Sequence, residues 1–410
     1  MANDVSASFP EYWSKRMQLK HYREDVFRDI ASFEETAMLK NGDTVHRPYR
    51  SNLTVNDLGS EGSYSRQDIT DTDESLTIDQ EKEVAFYVKD LDVIQHNYAV
   101  RNLYADEAAV ALSNGIDGDI LGEVANADNT VDAADLGGTA DQGIVLTSGN
   151  VSDVFLAATE KLDRRNAPQE GRFAILSPQV IRVLKENILE RETAWGDKVG
   201  ERGFIGMYDN YRIYKSNGLY WTGTLALATQ PTNGDTVTLN IPDSEGTRTT
   251  VTFTFVTNIG TTAGNVLIGD NAAASNTNFT AAINDPATTD ALSVALTAAN
   301  QALLKDFAAT ASATSTAVTS KGRGFIVVGD TLTDTTDQWT ATAQIQHNFF
   351  GVKGCVDLVI QVKPNMKIKS RDGYIGDDIV SWNVYGKKTF AEGARRMVAV
   401  KIRSNAYTAA

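Results

Sequence analysis

The residues with the chemistry to build a metal or nucleophilic site are few: His21, His46, His96, His347 and a single cysteine, Cys355. A zinc protease needs two histidines four apart on one helix face, with a glutamate beside the first. No pair here has that spacing. Asp92 and His96 stand four apart in a predicted helix, which suits a local polar contact. Cys355 lies beside an apolar run and reads as a buried, inert thiol rather than a nucleophile. The acidic cluster Asp117, Asp119, Asp128, Asp132 and Asp135 invites a calcium test. A calcium loop needs alternating oxygen ligands, a central glycine and a closing glutamate. The run from Asp128 lacks that glycine, and its twelfth position is Thr139. A solvated loop is the better reading, with a loose cation site as the alternative.

There is no phosphate-binding loop, no dinucleotide fingerprint and no nucleophile elbow. Acids without a partnered base give no acid–base assignment. The sequence therefore assigns no catalytic, cofactor-binding or metal-binding residue.

What remains is the framework. With 410 residues, 42% apolar and 22% charged, the chain should form two or three ordered domains. Its formal charge of −15 argues against duplex nucleic acid as the main partner, which calls for clustered Lys and Arg. It suits a protein kept soluble at high local concentration. The lone cysteine excludes an intrachain disulfide. No signal peptide and no membrane span is read, so folding in a reducing cytoplasm is expected. The sequons at Asn52, Asn150 and Asn278 carry no meaning without secretion.

Along the chain, Phe9 to Lys40 is an aromatic and charged arm with a loose helical spacing at Met17, Val26, Phe27 and Ile30. Such an arm can dock on a neighbour or on its own core. Asn41 to Asp92 reads as a long polar hairpin or extended loop, with strands at 44–49, 74–79 and 84–88. Its scarcity of core residues makes sense if a neighbour supplies the core. Val93 to Ser113 predicts a helix with a stripe of Val93, Asn97, Val100, Tyr104, Ala108 and Ala111, stopped by Asn114-Gly115. Gly115 to Gly149 reads as mostly irregular. Helices are expected over 151–165 and from Pro178, and strands over 172–176 and 211–215, the rhythm of a mixed α/β domain.

At Thr222 the composition changes. Thr222 to His347 holds four basic residues against ten acids and is rich in Thr, Ala, Asn and Gly. A hairpin at 236–241 and 250–256, helical stretches at 278–283 and 291–304, and a strand at 324–328 suggest a separate inserted domain. From Asn348 the balance reverses to eleven basic residues against five acids. Strands are expected at 365–369, 378–385 and 396–402; Val356 to Val362 could be strand or helix.

The order of these elements resembles the tailed-bacteriophage major capsid (coat) proteins of the HK-ninety-seven type fold. Residues 1–40 resemble the N-terminal arm, 41–92 the extended loop, and 93–221 the spine helix with the first part of the peripheral and axial domains. Residues 348–410 resemble their completion. The run Lys215-Ser216-Asn217-Gly218-Leu219 and the step Tyr385-Gly386-Lys387-Lys388 look like late coat-protein segments. Residues 222–347 are placed like the inserted domain of P-twenty-two type coat proteins.

The resemblance implies an α+β capsid fold and no enzymatic activity. It implies a subunit that forms pentamers and hexamers with itself in an icosahedral shell around phage DNA. It further implies a scaffolding protein, a portal and a decoration protein as partners, only non-specific contact with packaged DNA, no membrane, and location in the virion after synthesis in the host cytoplasm. Cross-linking and maturation cleavage are not carried over, since no residues here match them. The competing readings are another multi-copy virion or surface-layer part, such as a tail tube or adhesive subunit, and an enzyme of an unrecognised family. The coat reading predicts that a chain lacking residues 41–80 folds but does not assemble.

Overall fold

A computed structural model describes residues 23–37, 42–58, 62–89, 100–189, 206–243, 246–334, 336–370 and 373–404. A single helical turn, α1 (Phe27–Ile30), precedes a ribbon of β1 (Thr44–Tyr49) and β2 (Thr72–Thr77). Its antiparallel register runs from Thr44 opposite Thr77 to Tyr49 opposite Thr72. Then come β3 (Gln80–Lys89), a long helix α2 (Val100–Gly122) and a short strand β4 (Asn129–Val131). They are followed by α3 (Val151–Arg164), β5 (Arg172–Leu176), α4 (Pro178–Leu189), β6 (Met207–Tyr208) and β7 (Tyr211–Lys215).

Segment 222–347 is introduced by β8 (Trp221–Ala226), then β9 (Thr236–Pro242), β10 (Arg248–Val256) and β11 (Asn265–Leu267). It continues with α5 (Ala272–Asn284), α6 (Ala298–Leu304), β12 (Phe307–Ala311), β13 (Ser315–Ser320) and β14 (Val327–Asp330). The chain closes with β15 (Ile345–Val352), β16 (Asp357–Ser370), β17 (Gly376–Lys388), α7 (Ala391–Arg395) and β18 (Met397–Arg403).

Strand β15 organises the main sheet, and all eight of its residues are buried. One edge pairs with β18; the other pairs with β8 at Ile345 and Gln346, then with β5 from Phe349 to Val352. Beyond these lie β13 and β12 on one side and β7 and β6 on the other. Strand alternation sends neighbours to opposite faces. Phe350, Ala174 and Leu176 pack with Phe155, Leu162, Val183 and Leu184 of α3 and α4. Phe349, Phe173 and Ile175 pack with Phe27 and Ile30 of α1 and Ile116 and Ile120 of α2. Each such side chain contributes about 1.5–3 kcal/mol by leaving water.

Segment 222–347 has its own core, with Val237, Leu239, Phe253 and Phe255 gathered around Phe279. It also shares a sheet with the rest of the chain, because β8, β12 and β13 extend the main sheet while β11-β10-β9-β14 form a second one. A third sheet, β16-β17-β3, lies against α2.

Several expectations are corrected. Helix α2 does not stop at Asn114-Gly115 but runs to Gly122. Its buried face is Ala108, Leu112, Ile116 and Ile120, while Tyr104 and Ala111 are exposed. The glycines past residue 114 serve close packing: a Cβ on Gly118 would lie 3.0 Å from the Cα of Gly322, and one on Gly122 would meet the Lys321 side chain. The 115–149 stretch is therefore not mostly irregular: it carries the end of α2 and the strand β4, which runs parallel to β18. Residues 291–297 are not helical, and α6 begins only at Ala298, capped by Thr297. Of Val356–Val362, all but Val356 resolves as strand, continuous with 365–369 in β16, whose register shifts twice, between Ile360 and Asn365. Of the arm, residues 23–37 dock on the chain's own core through Val26, Phe27, Ile30 and Ala31. Met17, and Val93 to Asn97 of the expected helical stripe, lie outside the described residues.

Candidate assembly surface

Residues 50–71 leave the β1–β2 ribbon as an excursion without strand structure among its described residues. Thr54 and Gln67 bridge it: the Thr54 N–H donates to Gln67 Oε1 at 2.9 Å, and Gln67 Nε2 donates back to the Thr54 carbonyl. On both sides of that bridge the loop carries apolar side chains into solvent. Val55 is 100% exposed, and Leu53, Leu58, Tyr64 and Ile69 are each largely so. Five large apolar groups on one loop are costly in water unless a partner covers them.

The base of this loop is firmly held. Leu76 is fully buried with Val359 and Phe390. Arg47 Nη2 lies 2.5 Å from Glu35 Oε1, and its Nη1 lies 3.2 Å from Asp357 Oδ2. The same guanidinium sits over the Phe390 ring, 4.4 Å from its centroid. Burial pushes the Asp357 carboxyl above its ordinary range, and Arg47 opposes that rise. Glu74 Oε2 accepts the Ala391 N–H at 3.1 Å. A rigid base under an apolar tip is suited to reaching a neighbour.

A second projection is the far end of the β16–β17 hairpin. Lys367 pairs with Val380 and Lys369 with Asp378 in register, while Met366, Ile368, Tyr374 and Ile375 are exposed. The hairpin is tied to α2. Tyr385 Oη donates to Asp119 Oδ2 at 2.5 Å, and Lys387 Nζ lies 3.0 Å from Glu123 Oε1. Burial, then the Asp119 charge, drives the Tyr385 hydroxyl far above its usual range. At the other side of α2, the buried Asp117 Oδ1 accepts the N–H groups of Val26 at 2.9 Å and Phe27 at 3.1 Å. Arg23 lies 3.2 Å from Asp117 Oδ2, yet burial still pushes that carboxyl up.

No family model matches the sequence, and no curated protein matches it. Solved structures do. One from Mycobacterium phage Che8 is 17% identical, with a TM-score of 0.57 over 96% of this chain and 97% of that one. The capsid structure of cyanophage P-SCSP1u is 12% identical, with a TM-score of 0.54 over 98% and 95%. The mature capsid of bacteriophage PhiM1 is 10% identical, with a TM-score of 0.52 over 96% and 92%. The chain has the phage-capsid fold.

Within this phage-capsid fold, the residues singled out for chemistry scatter into structural roles. Asp128 pairs with Arg165 at 3.0 Å, Asp132 accepts the Ala134 and Asp141 N–H groups, and Asp135 pairs with Lys161 at 2.6 Å. Among the described residues, no group of three or more His, Cys, Asp and Glu could hold a metal ion. His46 Nδ1 meets Asp73 at 2.7 Å on the surface. His347 is buried, and that burial pulls its imidazole down to about 3. Burial pushes the Cys355 thiol up to about 12. His21 and His96 lie outside the described residues. No described helix is long and apolar enough to cross a membrane. What sequence reasoning missed in the capsid fold is the Arg47–Glu35–Asp357 cluster, which brings together residues over three hundred positions apart.

Proposed function

We propose that the chain is a structural, non-enzymatic subunit that assembles with copies of itself into the icosahedral shell enclosing phage DNA. The observation that carries this is the 50–71 loop, apolar at its tip and clamped at its base. The capsid fold supports the same reading over a tail tube or adhesive subunit. Pentamers and hexamers built on heterologous contacts would close the shell. Residues 222–347 act as an inserted domain on the outer face, since their ten acids suit a surface that does not line DNA. A scaffolding protein, a portal and a decoration protein complete the proposed partners.

The test is a deletion. Removing residues 41–80 would take the buried Leu76 with it, so the cut belongs at 52–69, bridged by a short Gly-Ser linker. The expected product is a folded, dispersed chain, while the intact chain forms shells under negative stain. Normal shells from the deletion would overturn the role given to the loop.

A further inference from the structure

Strands β5 and β7 lie side by side and parallel, with Leu176 opposite Lys215 at their carboxyl ends. The 12-residue helix α4 starts directly after β5, at Pro178. In such β–α–β units ligands collect outside the carboxyl ends of the strands, and a helix N-terminus there favours an anion. These ends open into a cleft of about 820 Å³ shared with segment 222–347, and Ser177, Gln179, Lys215, Asn217 and Gln346 are among its lining residues.

The start of α4 keeps one donor free. Pro178 has no N–H, Ser177 Oγ accepts the Val180 N–H at 3.3 Å, and the Ser177 carbonyl accepts the Ile181 N–H at 3.0 Å. The Gln179 N–H has no partner among the described residues. Gln346 adds a second, independent vacancy. It is only 2% exposed, yet its side-chain amide makes no hydrogen bond among the described residues. Leaving a buried amide unpaired costs about 1–3 kcal/mol. Strand alternation puts Gln346 on the same face as Asn348, whose Oδ1 accepts the Ser177 N–H at 2.9 Å. Its Nε2 would lie 3.7 Å from a Cβ on Gly324, and Gly324 itself abuts the Asn217 carbonyl. The amide therefore stands beside both the start of α4 and the turn that follows Lys215.

Positive charge is at hand. Lys215 is exposed, with no ionic or hydrogen-bonded partner among the described residues. The Arg23 guanidinium lies against Gly218, and its buried Nε–H has no acceptor. An uncommitted N–H, an uncommitted amide and a free ammonium at one end of a cleft call for an acceptor with several oxygens. The same cleft also carries Glu24, Glu83 and Glu107. Those acids would repel a polyphosphate or a nucleic-acid strand laid along it, so the acceptor is a single compact anionic group.

We infer that this end of the cleft binds one phosphate group, which accepts from the Gln179 N–H, the Gln346 amide and the Lys215 ammonium. The group is either the free ion or a monoester whose remainder fills the rest of the cleft. The site is complete within one chain, so it stands or falls separately from the assembly reading.

The experiment is calorimetric titration of the full chain with inorganic phosphate and, separately, with a nucleoside monophosphate, at an ionic strength held constant with chloride. Saturable binding is expected; tighter binding of the monophosphate assigns the monoester, and equal or weaker binding assigns the free ion. Lys215→Met and Gln346→Leu should each weaken binding about tenfold. Gln346→Leu should not lower the melting temperature measured without phosphate, because no partner within the chain is lost. Lys215 is exposed, so its variant tests the site even where Gln346→Leu fails to fold. No saturable binding of either probe to the native chain, or an affinity unchanged in Lys215→Met or in a folded Gln346→Leu, overturns the inference.

Discussion

Arg47 and Asp357 stand 310 residues apart in sequence and 3.2 Å apart in space, joining the first strand of the loop ribbon to the start of β16. The Asp357 side chain is only 8% exposed, so its carboxylate depends on that guanidinium. Arg47→Ala should cost about 2 kcal/mol, mostly by leaving a largely buried charge unpaired. Urea unfolding of the single variants and of Arg47→Ala with Asp357→Asn should give a coupling of about 1 kcal/mol or more. Additive single effects would mean that the contact does not hold the ribbon.

His347 should make the fold sensitive to acid. Its imidazole sits at about 3 in the folded chain against 6.5 for the free group, because burial penalises the charged form. Between these values the unfolded chain takes up a proton that the folded chain refuses, so stability rises with pH across this window and is lost as pH falls through it. The full effect is ~5 kcal/mol. His347→Gln should flatten the pH dependence of thermal unfolding over that range. An unchanged profile would contradict the burial.

The glycines of α2 should respond in opposite senses. A Cβ on Gly115 meets nothing within 4 Å, so Gly115→Ala should stabilise by about 0.5–1 kcal/mol through helix propensity. Gly118 faces the Gly322 backbone, and Gly118→Leu should cost about 1–3 kcal/mol by forcing the 222–347 segment off the helix. Thermal melts of the two variants decide it.

These cases show what the sequence could and could not reveal. Helices α3 and α4 were legible because Val154, Phe155, Ala158 and Leu162, then Val180, Val183 and Leu184, repeat at helical spacing and are buried. The end of α2 was misread because a glycine looks the same whether it terminates a helix or admits a close neighbour. Strand β15 was missed because Gln346, His347 and Asn348 break its apolar run. Their polarity is used inside the core, where Asn348 Oδ1 accepts the Ser177 N–H at 2.9 Å and His347 Nε2 lies 3.1 Å from Thr222 Oγ1. The 50–71 loop was recognisable from its lack of core residues. The Arg47–Glu35–Asp357 cluster was not, since its members come from positions 35, 47 and 357, which only the tertiary fold brings together.

Cys355 offers a probe of cooperativity. Buried, with its thiol held at about 12, it should resist alkylation in the native chain and react only on unfolding. Mass spectrometry after iodoacetamide at increasing urea should show labelling that follows the loss of circular dichroism. Labelling well before that transition would mean that the junction of β15 and β16 opens separately.

The most direct test of the central claim is electron microscopy of the purified full-length chain after concentration. The account predicts closed icosahedral shells whose subunits contact one another through the 50–71 loop. Open tubes, or a chain that stays dispersed at every concentration and with cell extract added, would contradict it.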